Sequence, residues 1–144
     1  MDRKEFLAQL GLTSAAIFAG ACLGGCSKDD NGGGGGPFPP PPTGVDFTIN
    51  LSDAANANLG TAGGFIYRSN IIIARTLANT YIAVSQACTH QGTTVVYEGT
   101  NNRFFCSAHG STFSNTGAVT TGPAAAPLAR YNTALSGTNL RVFS

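Results

Sequence analysis

The stretch that most constrains this chain is residues 88–113, CTHQGTTVVYEGTNNRFFCSAHGSTF. It holds both histidines of the 144 residues, each within three positions of a cysteine. Cys88 and His90 form a C-x-H arm, Cys106 and His109 a C-x-x-H arm, and each arm ends in a glycine, Gly92 or Gly110. Between the arms, TTVVYEG and NNRFF flank a Gly–Thr–Asn–Asn turn, the pattern of a β-hairpin. Two short loops carried by one hairpin can converge on one site, each giving one thiol and one imidazole. The fold has to provide that convergence.

The flanking sequence supplies strands. VDFTINL alternates polar and apolar residues, as a half-buried strand does. GGFIYRSN and IIIARTL follow, then a turn at ANT, then YIAVSQA leading into Cys88. LARYNTALSGTNLRVFS reads as a last hairpin turning at Ser136–Asn139, and SDAANANLG as one short turn of helix. Ile, Val, Thr, Phe and Tyr concentrate after residue 45, where good helix formers are sparse. The expected fold over residues 44–144 is all-β, a small antiparallel sandwich or barrel, with Tyr81, Tyr97 and Tyr131 packed on sheet faces.

The first 43 residues do not read as globular. MDRKEF carries Arg3 and Lys4, and an apolar segment runs from about Leu10 to Gly25, too short and glycine-rich for a transmembrane helix. Residues 1–25 are expected to be a signal peptide. LGGC resembles the bacterial lipobox, which implies cleavage before Cys26 and a diacylglycerol on its thiol. DRKEFL is similar to the twin-arginine export motif, with Arg3, Phe6 and Leu7 in place but Lys4 where the second Arg belongs. Residues 26–43 read as a flexible glycine and semi-extended proline tether. The acidic pair Asp29–Asp30 resembles signals that send lipoproteins to the outer surface. The location implied is extracytoplasmic, lipid-anchored to a bacterial envelope membrane on its periplasmic or surface side. Net charge is +1, with 10% of residues charged and no basic stripe, so nucleic acid is not an expected partner.

With Cys22 in the signal and Cys26 lipidated, Cys88 and Cys106 remain for the domain. Three readings stand on the residues alone. An exported protein can join them in a disulfide. Tetrahedral Cys₂His₂ zinc is chemically possible, although zinc clips usually group Cys with Cys and His with His. A binuclear centre with one iron on cysteines and one on histidines uses one of each per loop.

C-T-H-Q-G together with C-S-A-H-G-S resembles the two cluster-binding boxes of Rieske iron–sulfur proteins. GAVTTGPAAAPLARY is similar to the segment that follows them, including a Gly122–Pro123 loop that covers the cluster. The resemblance implies one [2Fe-2S] cluster per chain, with Cys88 and Cys106 on the inner iron and His90 and His109 on the outer one. Gly92, Gly110, Ser111, Phe113 and Pro123 would surround it. Two ferric ions and two sulfides leave a doubly positive core, which two thiolates neutralise and four would make doubly negative. Histidine ligation therefore raises the potential.

The chain departs from the quinol-oxidising branch of that family. The disulfide joining the two loops there falls at Thr93 and Ala108. Ser111 keeps a hydroxyl expected to donate to a bridging sulfide, while Phe113 occupies the place of a tyrosine and has none to give; core packing is its expected role. Donors to sulfur raise the potential, so an intermediate value is expected.

Rieske oxygenases need two further histidines for a mononuclear iron, and none remains here, so the chain is not an oxygenase catalytic subunit. No catalytic triad or phosphate loop is present either. The expected function is one-electron transfer by a membrane-anchored carrier between envelope redox proteins, such as c-type cytochromes or an oxidoreductase subunit. The alternatives are the Rieske subunit of a quinol–cytochrome c oxidoreductase-type complex and a non-redox metal-binding module.

Overall fold

A computed structural model describes residues 40–144; the expected signal peptide, Cys26 and the expected tether up to residue 39 lie outside the described residues. The β-branched and aromatic runs form strands β1 (Asp46–Asn50), β2 (Phe65–Arg68), β3 (Ile71–Arg75), β4 (Tyr81–Ser85) and β5 (Val96–Glu98). They continue as β6 (Arg103–Phe105), β7 (Thr112–Ser114), β8 (Val119–Thr121), β9 (Arg130–Ser136) and β10 (Asn139–Phe143). The expected helical turn is a 3-10 helix over Ala54–Gly60. The expected final hairpin is β9–β10, and Ser69 and Asn70, both at positive φ, form the two-residue turn between β2 and β3. Among the described residues no helix is long and apolar enough to cross a membrane.

The strands form two antiparallel sheets, one in the order β1-β10-β9-β4-β3-β2 and one in the order β5-β6-β7-β8. The antiparallel sheets form a half-barrel, so the all-β architecture expected from the strand pattern is what forms. β4 pairs directly with β9. The whole smaller sheet and both Cys-His arms are thus an insertion between neighbouring strands of the larger one. This topology carries the site: the chain leaves β4, makes the first arm, folds the small sheet with the second arm between β6 and β7, and returns through residues 122–129 to β9.

Side-chain alternation assigns β3 and β4 to two cores. Ile71, Ile73 and Ala83 face one core with Ile49, Leu59, Tyr131, Leu140 and Val142. Ile72, Ala74 and Val84 face the other, with Val95, Tyr97, Phe104, Phe113 and both cysteines. Phe104 and Phe113 are fully buried and directly opposed on β6 and β7. Truncating such a residue to Ala costs about 3–5 kcal/mol. The second core glues the small sheet to the large one and includes Cys88 and Cys106, so the ligand arms stand on packed side chains.

Candidate metal centre

The two arms close by the same backbone pattern. In the first, the Cys88 amide donates to the Thr93 carbonyl (2.8 Å) and the Gly92 amide returns to the Cys88 carbonyl (2.7 Å). In the second, the Cys106 amide donates to the Ser111 carbonyl (2.8 Å) and the Gly110 amide returns to the Cys106 carbonyl (3.0 Å). Gly92 and Gly110 take φ of 75° and 78°, a left-handed conformation costly for residues with a Cβ. A C-x-H and a C-x-x-H sequence thereby produce two matching loops.

These loops sort their donors by kind. Cys88 and Cys106 are buried, unbridged and members of the same core cluster. Burial pushes the Cys88 thiol above its ordinary value. The backbone N–H groups of His90 and Gln91 work against that by favouring the thiolate, and the neighbouring Cys106 adds to the rise. Outward from the thiols, His90 and His109 meet edge to face with ring centroids 4.7 Å apart and Nδ1 atoms 3.2 Å apart. His90 is half-buried and His109 exposed.

This donor set fits a binuclear cluster. Two imidazole nitrogens bound to one first-row metal at about 2.0–2.1 Å stand roughly 3.0–3.4 Å apart, and the observed separation of 3.2 Å lies in that range. No three of the His, Cys, Asp and Glu side chains among the described residues gather around one point, as a tetrahedral zinc ion would require. Both thiols lie in one core cluster and the imidazoles pair nearer the surface, an arrangement that would give each of two metals its own pair.

A third loop binds the two arms together. The Ala124 amide donates to Ser111 Oγ at 3.0 Å, and the Thr89 hydroxyl donates to the Ala126 carbonyl. Ser111 is fully buried; its Oγ accepts from Ala124, and its own proton meets no protein acceptor among the described residues. A buried hydroxyl proton of this kind calls for a partner, and a bridging sulfide would be one. Pro123 is exposed in the third loop and Phe113 lies in the core. Thr93 is half-buried and Ala108 exposed, and with no sulfur on either side chain these positions carry no cross-link.

The linking residues Thr89, Ala124 and Ala126 are not evident from motif spacing. Only Thr89, a hydroxyl between two ligand-type residues, carries a sequence signal.

Comparison with known proteins agrees with this geometry. A Rieske [2Fe-2S] domain profile matches residues 51–132. The cytochrome b6-f complex iron-sulfur subunit of Chlorobaculum thiosulfatiphilum is 27% identical over 92 residues, covering 64% of this chain and 51% of that one. The corresponding subunit of Trichodesmium erythraeum is 40% identical over 57 residues, covering 40% of this chain and 32% of that one. This chain therefore spans about half or less of the length of these relatives. The plasma membrane Rieske protein PetC3 of Synechocystis PCC 6803 matches with a TM-score of 0.52 at 32% identity, over 61% of this chain and 93% of that one. With both boxes inside the matched region and the half-barrel in place, the chain belongs to the Rieske [2Fe-2S] domain family, whose cofactor is a [2Fe-2S] cluster and whose chemistry is electron transfer.

Proposed function

We propose that Cys88, His90, Cys106 and His109 hold the [2Fe-2S] cluster, and that the chain is a one-electron carrier tethered outside a bacterial membrane by a lipid on Cys26. The observation that carries the ligand set is the sorting of donors, with thiols paired in the core and imidazoles paired at the surface. When bound, the cluster supplies a one-electron couple. The chain's own residues set its surroundings. Cys88 and Cys106 anchor the inner side among packed apolar groups, and His90 and His109 open the outer side to a partner. The Ser111 proton and the N–H groups of His90 and Gln91 favour added negative charge. Phe113 adds no hydroxyl, which sets an intermediate potential.

The division into a signal at 1–25, a tether at 26–43 and a domain at 44–144 suits a carrier that reaches partners from an anchored end. Periplasmic or surface redox proteins, c-type cytochromes among them, are the partners this reading favours. Iron and sulfide analysis with electron paramagnetic resonance of the reduced protein tests the cluster. Detergent-phase partitioning that is present in the wild type and lost in Cys26→Ala tests the anchor.

A second reading, a subunit of a quinol–cytochrome c oxidoreductase-type complex, draws support from the cytochrome b6-f relatives. The absent loop cross-link at Thr93 and Ala108 and the apolar Phe113 favour the carrier. Co-purification with a cytochrome b would decide for the complex.

A further inference from the structure

The chemistry of the surface around the imidazoles narrows the kind of partner, given the cluster ligation proposed above. Gln91 stands beside His90, Ser107 and Ala108 stand beside His109, and Pro123, Ala125 and Ala126 belong to the third loop; all six are exposed. The third loop is held against both arms through Ser111 and Thr89, so these six exposed side chains lie on the loops that carry and adjoin the two rings. Every one is short or uncharged. The sequence has no Asp, Glu, Lys or Arg between Arg75 and Glu98, or between Arg103 and Arg130, the two intervals that supply all three loops. Asp46 is paired with Arg141 and Glu98 with Arg103, none of them a residue of these loops. Along the chain the nearest charges are Arg103, four residues before Ser107 and paired with Glu98, and Arg130, four residues after Ala126 at the start of β9.

Two consequences follow from elementary physics. Electrostatic steering needs charge of one sign near the contact, and this surface provides none. Electron exchange weakens steeply with distance, so short side chains let a partner's redox group come close. A lipid surface is a poor match, because anionic headgroups are held by Lys and Arg and insertion needs large apolar residues.

We propose that this ring is the docking face for a redox protein whose cofactor opens onto an equally uncharged patch, and that their encounter is unsteered. The test uses the full-length, cluster-loaded protein, reduced and mixed by stopped flow with a cationic and, separately, an anionic c-type cytochrome. Between about 10 mM and about 0.5 M salt, the wild-type rate with each should change by less than about twofold. Ala108→Glu and Ala125→Glu should each make the rate with the cationic cytochrome fall about tenfold or more over that range.

Wild-type rates that already depend on salt with opposite signs for the two cytochromes would overturn the proposal. So would glutamate variants whose rates stay flat, since the contact would then lie elsewhere. Slowing of exchange by anionic phospholipid vesicles would replace the protein partner with a lipid surface. Failure of the cluster assignment would show separately, as the lack of a visible redox band before mixing.

Discussion

Ser111 Oγ, fully buried, accepts the Ala124 amide at 3.0 Å, and the hydroxyl's own proton meets no protein acceptor among the described residues. One side chain thus ties the third loop to the second arm and, with the cluster held as proposed, would offer a donor to sulfur. Ser111→Ala removes both roles. A hydrogen bond to a charged group is worth about 1.5–3 kcal/mol, and about 59 mV corresponds to 1.4 kcal/mol for one electron. The reduction potential is expected to fall by on the order of 60 mV or more. An unchanged potential in a redox titration would assign Ser111 to loop closure alone.

Phe113 gives the complementary case. It is fully buried opposite Phe104, so Phe113→Tyr places a hydroxyl where only sulfur or core atoms can receive it. The expected result is a raised potential with stability retained. If the hydroxyl finds no sulfur, the potential stays put and thermal unfolding shows a loss of about 1–3 kcal/mol.

The arms are cross-linked by hydrogen bonds through the third loop rather than by a disulfide. Thiol reductants are therefore expected to leave cluster retention unchanged, as followed by visible absorbance. Thr89→Val, which deletes the donor to the Ala126 carbonyl, should speed cluster loss several-fold while leaving the far-ultraviolet circular dichroism intact. Equal loss rates for Thr89→Val and wild type would show that the third loop does not latch the first arm.

Acid stability has a definite sign. The Arg141 guanidinium, hydrogen-bonded to Asp46 across β1 and β10, holds that carboxyl below its ordinary value, and Arg103, helped by Asn101, does the same for Glu98. A depressed carboxyl contributes stability that is present above its unfolded value and is lost as pH falls through its folded value. Both pairs are exposed and screened, so the contribution is small. Melting temperature should be flat from neutral pH down to about 5 and decline below about 4, with a shallower decline in Asp46→Asn. A decline that begins above pH 6 would point to other groups.

Much of this was legible from residues. The alternation in VDFTINL and the run IIIARTL are long enough to show their faces, and β1 and β3 form there. The three-residue β7 and β8 are not legible, because alternation over so short a span carries no signal and their pairing depends on the long-range hairpin with β6. At the centre, the arms and their glycines were readable from local spacing. The pairing of Cys with Cys and His with His followed from the family resemblance and not from spacing, because it arises only when two loops of matching closure face each other. Nor was the latch readable from spacing, since Thr89 and Ala126 are distant in sequence and meet only because the chain returns from β8 to β9 past both arms.

The central claim is that two imidazoles share one iron while two thiolates hold the other. The most direct measurement is pulsed electron paramagnetic resonance of the reduced protein, prepared with and without ¹⁵N-labelled histidine, alongside iron and sulfide analysis. The account predicts two irons and two sulfides per chain, with couplings from two histidine nitrogens that shift on labelling and are lost singly in His90→Cys and His109→Cys. A spectrum without histidine nitrogen coupling, or stoichiometric zinc in place of iron and sulfide, would contradict it.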